Sequence, residues 1–193
     1  NATQKGLAAY SEDGATWTLV NLNTGLAQFW AIAHGAGRFV MVGDAGTIYY
    51  SPDGVTWSQA TSGISNTLRT ITYADGLFVA TGDGGRALTS TDGITWLNRS
   101  LPTTATFYGV ARHNNLWQLR SGTAVYSSPD TVTWTRTTSN ATSTTSYRPI
   151  SVAGVFLVGT SNGLIEFAEN QQTWASVRVD SAMISDVPGY TWG

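Results

Sequence analysis

A seven-residue phrase recurs five times along this chain, and its spacing limits the fold more than any other feature. Three copies are close to one another: Ser11-Glu12-Asp13-Gly14-Ala15-Thr16-Trp17, Ser51-Pro52-Asp53-Gly54-Val55-Thr56-Trp57 and Ser90-Thr91-Asp92-Gly93-Ile94-Thr95-Trp96. Two are weaker: Ser128-Pro129-Asp130-Thr131-Val132-Thr133-Trp134 and Ala168-Glu169-Asn170-Gln171-Gln172-Thr173-Trp174. The tryptophans that close them are separated by steps of 40, 39, 38 and 40 residues. A fixed period of this length marks a repeat architecture, in which each unit buries its apolar face against its neighbours.

One full unit spans 30–60 and reads as four strands. The run 30–34 is apolar, and 38–42 is rich in β-formers after the turn at Gly35-Ala36-Gly37. Gly43-Asp44-Ala45-Gly46 turns the chain into a third strand at 47–51, and the seven-residue phrase turns it into a fourth at 56–59. Four antiparallel strands joined in this way make a propeller blade. The grammar repeats over about 69–100, 108–138 and 148–179, with matching turns at 82–85, 120–123 and 160–163. Ile32, Ile71, Val110 and Ile150 share one register, which predicts an inward β-branched row.

The ends complete the count. Residues 7–10 and 16–20 match a third and a fourth strand, whereas 182–185 and 190–192 match a first and a second. One closing blade shared by 7–20 and 182–192 gives an all-β, five-bladed β-propeller, a single domain over 1–193, with no sheet edge left open. The chain opens on Asn1 rather than Met, so a processed or excised origin is expected.

Composition narrows the function. Net charge is −2 and charged residues make up 11% of the chain, so nothing favours nucleic acid or acidic membrane surfaces. No cysteine is present, which excludes disulfides and thiolate metal sites, and no apolar run is long enough for a membrane-spanning helix. The two histidines, His34 and His113, fall at different registers and are read as partly exposed strand-end residues rather than shared ligands. No glycine-rich loop opens a helix, so no cofactor and no metal are expected.

The phrase resembles the Asp-box, or BNR-like repeat, of sialidases and of non-enzymatic propellers, with one residue fewer between Asp and Gly than the family uses. Asp13, Asp53, Asp92 and Asp130 are expected to accept turn N–H groups, glycine to take the strained angle, and Trp17, Trp57, Trp96, Trp134 and Trp174 to fold back between sheets. The fourth and fifth turns are expected to be looser, because Thr131 replaces glycine and Asn170-Gln171 replace Asp-Gly. The resemblance also raises glycoside hydrolysis. Tyr147-Arg148-Pro149-Ile150 is similar to the sialidase Arg-Ile-Pro signature with its order changed. The family's arginine triad is not matched: Arg69 and Arg148 begin equivalent strands, but Trp30, Tyr108 and Ala182 hold the other positions. The expectation is therefore a non-enzyme.

A binding face remains. The inter-blade connections and the second-to-third-strand turns share the side opposite the Asp-box turns. Trp30, Arg69, Tyr108 and Arg148 stand at the mouths of its inner strands, with Asp44 and Asp83 at the rim. Aromatic rings beside Arg and Asp suit a sugar or peptide ligand. Low-charge repeat domains with similar phrases occur in surface and phage tail proteins, which implies a glycan or protein receptor as partner, other subunits of a virion or surface assembly, and an extracellular or virion-surface setting. A protein-interaction scaffold and a sialidase-like hydrolase stay open as alternatives.

Overall fold

The computed structural model describes residues 6–22, 27–122, 124–138, 150–152, 155–159, 164–168 and 175–178. Regular structure among them is strand, joined in two places by 3-10 turns at Asp44–Gly46 and Asp83–Gly85. A two-stranded ribbon comes first, β1 (Leu7–Tyr10) and β2 (Thr18–Asn21). A four-stranded antiparallel sheet follows, in the order β3 (Phe29–Gly35), β4 (Arg38–Gly43), β5 (Ile48–Ser51) and β6 (Ser58–Ala60). The next contains β7 (Leu68–Ala74), β8 (Leu77–Gly82), β9 (Ala87–Ser90) and β10 (Leu97–Asn98), again in chain order across the sheet. Then come β11 (Gly109–His113), β12 (Leu116–Ser121), β13 (Ala124–Ser128) and β14 (Thr135–Thr138). The last sheet has β15 (Ile150–Val152), β16 (Val155–Gly159), β17 (Leu164–Ala168) and β18 (Ala175–Arg178). The four repeats expected from the sequence thus each form one meander of four antiparallel strands. Residues 182–192, which carry the expected ring closure, lie outside the described residues.

The chain divides into two compact units, Asn1–Val110 and Ala111–Gly193, with the boundary inside β11. In the first unit, one core joins two sheets: Val40, Val42 and Ile48 from β4 and β5 meet Leu68, Ile71, Phe78, Ala80 and Leu88 from β7, β8 and β9. The sheets approach closely because Gly35 carries no Cβ; a methyl group there would collide with the Tyr73 ring. In the second unit, β12 buries Trp117, Gln118, Leu119 and Arg120, and the Arg112 guanidinium lies 5.6 Å from the centre of the Trp117 ring. His113 is only 4% exposed, so it is a buried residue and not the strand-end surface group the sequence suggests. His34 is exposed and packs on Phe39 at 4.6 Å between ring centres.

The inward β-branched row holds at Ile71 and Val110, which are buried, but not at Ile32, which is 47% exposed. Ile32 faces the β1–β2 ribbon. There it borders an open groove of about 700 Å³ whose other wall includes Ala8 and Ala9, side chains too short to cover it.

The repeated phrase builds the turn that chemistry predicts. In each of the four described copies the aspartate Oδ1 accepts two backbone N–H groups and the serine hydroxyl. For Asp53 these come from Val55 at 2.9 Å, Thr56 at 2.7 Å and Ser51 at 2.9 Å. Asp13, Asp92 and Asp130 make the same set. These bonds to the charged form hold all four carboxyls well below the usual carboxylate range, Asp53 and Asp92 at about 2. The fourth turn keeps the Asp130 bonds with Thr131 at φ +64°, but it lacks the N–H bond to the serine hydroxyl that Gly14, Gly54 and Gly93 make in the other copies, and it holds a β-branched residue in the left-handed region.

The tryptophans differ from one another. Trp57, Trp96 and Trp134 are half-buried, and Trp96 packs on the core that joins the two sheets of the first unit. Each ring folds over its own turn, with Nε1–H donating to the carbonyl three residues back, at 2.9 Å, 3.3 Å and 3.1 Å. Trp17 is 62% exposed, since the ribbon offers it little to pack against. Trp174 lies outside the described residues.

Candidate functional site

The residues singled out at the mouths of the inner strands come together within the first unit. Trp30 is the second residue of β3, Arg69 the second of β7, and Tyr108 immediately precedes β11. One repeat step separates each from the next, so a shared register brings all three to the same end of their strands. The Arg69 guanidinium carbon lies 5.5 Å from the centre of the Trp30 ring and 5.8 Å from that of Tyr108. It therefore sits between two aromatic rings whose electron-rich faces attract a cation.

Asp44 and Asp83 fix this arrangement from equivalent places, each the first residue of a 3-10 turn. The Asp83 carboxylate grips Arg69 bidentately, Nε to Oδ1 at 2.5 Å and Nη2 to Oδ2 at 2.9 Å. That hydrogen bonding raises the Arg69 pKa above its ordinary value, against the opposing effect of partial burial. Asp44 accepts the Trp30 indole N–H at 2.7 Å and the Gln28 backbone N–H at 3.2 Å. Both turns are tied to the chain entering their own sheet, Asp44 N–H to Gln28 O at 2.9 Å and Asp83 N–H to Thr67 O at 3.0 Å. Glycine is required beside them: a Cβ on Gly43 or Gly82 would strike the carbonyl of Gln28 or Thr67.

Five of the six residues expected at the site thus form one constellation, and Arg148 lies outside the described residues. The sequence placed Asp44 and Asp83 at the rim but missed their partners. The signal was available: Trp30 to Asp44 and Arg69 to Asp83 are both 14 residues apart. Tyr108 breaks the pattern, because Gly122 stands 14 residues after it.

Chemically, the site offers two partly exposed rings, Trp30 at 46% and Tyr108 at 37%, around a guanidinium. Its one cation meets two carboxylates, so the cluster is not an anion trap. Both carboxylates are committed to hydrogen bonds within the fold. No group of three or more His, Asp or Glu suited to a metal occurs among the described residues.

No protein-family model matches the chain, and neither does any curated protein. Solved structures do. Virginiamycin B lyase from Staphylococcus aureus superposes with a TM-score of 0.80 at 11% identity, over 90% of this chain and 63% of that one. The WD40 beta propeller domain of Doa1 gives 0.74 at 12% identity, over 93% and 64%. YCF48 bound to D1 peptide gives 0.64 at 16% identity, over 85% and 57%. The fold is that of a β-propeller. At these identities the likeness extends to the fold alone, and the chain spans about three fifths of the length of each of these neighbours.

Proposed function

We propose that this propeller is a non-catalytic recognition module that binds a glycan on the Trp30–Arg69–Tyr108 stack. The observation that carries the reading is the guanidinium held between two partly exposed rings by a bidentate carboxylate. Such a cluster presents aromatic surface and fixed polar groups without flexible side chains that must be ordered on binding. Because Asp83 already neutralises Arg69, the cluster suits sugar hydroxyls better than a carboxylate, unlike a sialidase pocket. Asp44 and Asp83 are engaged as acceptors, which supports binding over acid–base chemistry. A protein receptor is the second reading, favoured by the neighbour solved as YCF48 bound to D1 peptide. A virion or cell-surface assembly, such as those with similar phrases, is the proposed setting.

A glycan array followed by calorimetry tests the site. Trp30→Ala should weaken binding of any glycan hit by about tenfold or more, the effect of losing a central aromatic contact, while leaving the unfolding transition in place. Unchanged affinity would move the site elsewhere, and hydrolysis of a hit would end the non-catalytic reading.

The finer architecture belongs to the same proposal: five blades, the fifth shared by residues 7–20 and 182–192. Deleting 181–193 should then expose the β1–β2 ribbon and cause aggregation. A truncated chain that stays monomeric with an unchanged midpoint would refute closure.

A further inference from the structure

A second cavity in the first unit, separate from the aromatic stack, has a different chemistry. It is a groove of about 810 Å³ between the β3–β6 sheet and the β7–β10 sheet, along the linker 61–67. Its polar lining includes Gln59 on β6, Ser62, Ser65 and Asn66 of the linker, and Arg86 and Asn98 of the next sheet. No aromatic ring and no carboxylate lines it. Arg86 is the one charged group of the wall. Its Nε donates to the Asn66 side-chain oxygen at 2.9 Å, which holds the guanidinium in place and leaves both terminal nitrogens for a ligand. Among the described residues the ion pair is Arg69–Asp83, so Arg86, unlike Arg69, has no carboxylate against it.

The linker along the groove also differs from the next one in sequence. Ser62 stands 39 residues before Leu101, the step that separates Trp57 from Trp96. In the following linker Leu101 is buried, with its N–H on Gly85 O at 2.9 Å, while Ala105 O accepts from Gly85 N–H at 2.7 Å. Leu101 therefore fills one linker at the position where the other carries the Ser62 hydroxyl, while Ile64, two residues further on, packs against the core there.

We propose that this groove is a binding site for a carboxylate-bearing saccharide, a uronic-acid residue within a glycan. Arg86 takes the carboxylate through its two terminal nitrogens. The amides of Gln59, Asn66 and Asn98 and the hydroxyl of Ser65 supply donors and acceptors for ring hydroxyls, while the Ser62 hydroxyl is engaged with the Ile64 backbone. An acidic peptide would satisfy Arg86 equally well, but beyond Ile64, Ala45 and Ala60 its apolar side chains would find little in this wall to bury against. The inference is independent of the aromatic stack.

The test uses the full chain, ¹⁵N-labelled, titrated with a galacturonate trisaccharide, the matched neutral galactose trisaccharide and triglutamate. Side-chain amide signals of Gln59, Asn66 and Asn98 should shift with the uronate and saturate in the millimolar range. The neutral sugar should bind about tenfold more weakly or worse, the usual effect of losing a charged hydrogen bond. Arg86→Gln should lose a similar factor. Gln59→Glu, on the exposed face of an outer strand, should weaken uronate binding without altering Arg86. Three results would overturn the proposal: no shift at about 20 mM uronate, far above a millimolar dissociation constant; equal affinity for the neutral sugar; or triglutamate binding as tightly as the uronate.

Discussion

Gly54 and Gly93 hold the same place in two copies of the repeated phrase, at φ +77° and +72°, yet substituting them should have very different consequences. Alanine at either site meets the left-handed penalty, about 1–2 kcal/mol, partly offset by about 0.4–1 kcal/mol from a less flexible unfolded chain. At Gly54 the new Cβ would lie 3.7 Å from the Phe39 ring, an ordinary contact, so the net cost should stay near 1 kcal/mol. At Gly93 it would lie 2.7 Å from Val40 Cγ2 and 3.2 Å from Phe78 Cε2. Val40 and Phe78 are fully buried and cannot move cheaply, so overpacking should add a further 1–3 kcal/mol or so. Urea unfolding followed by circular dichroism reads the difference as a shift in midpoint at constant slope. Removing the obstacle provides the control: in a Val40→Ala background, Gly93→Ala should lose most of its excess cost. Equal destabilisation by Gly54→Ala and Gly93→Ala would show that the turn does not pack on the preceding sheet as described.

Acid should unfold this protein through the same turns. Asp53 and Asp92 titrate at about 2 when folded against 3.8 when free, so their contribution is complete above about pH 4 and is lost as pH falls through 2. Thermal midpoints should therefore drop between pH 4 and 2, and Asp92→Asn should flatten that drop; an unaltered profile would assign acid sensitivity elsewhere. The tryptophans of the phrase should separate in the same assays. Trp96→Ala, which removes a ring packed beside Phe78, should cost about 2 kcal/mol, below the 3–5 kcal/mol of a fully buried aromatic. Trp17→Ala, at an exposed position, should cost less than about 0.5 kcal/mol.

Much of the fold was legible because its signals are local. Asp53 reaches donors two and three residues away, and Val40, Val42 and Ile48 declare their strands by side-chain type. Register carried the site as well, since Trp30, Arg69 and Tyr108 meet because they occupy equivalent positions in successive repeats. What escaped depended on neighbours in space. Ile32 and Ile71 look alike in sequence, but one faces a ribbon with alanines and the other a full sheet. The half-burial of Trp57 and Trp96 was hidden for a similar reason: indole is apolar enough to suggest a core, but its N–H is satisfied at the turn itself. The groove at Arg86 was missed because polar linker residues such as Ser62 and Asn66 read as ordinary loop until the following linker is seen to place Leu101 there.

The aspartate turn of the repeated phrase also has a bearing on how the chain folds. All the carboxylate bonds that define it close over two or three residues, so each needs almost no chain entropy to form. The hairpins around these turns can therefore assemble within microseconds, before any long-range contact exists. Contacts that cross between repeats span far more chain, as does the Thr72 hydroxyl bond to Val110 O across 38 residues. Docking of one preformed hairpin unit on the next then becomes the slow step. Substitutions that weaken one of these aspartate turns should slow folding, whereas those at the Thr72–Val110 junction should mainly hasten unfolding.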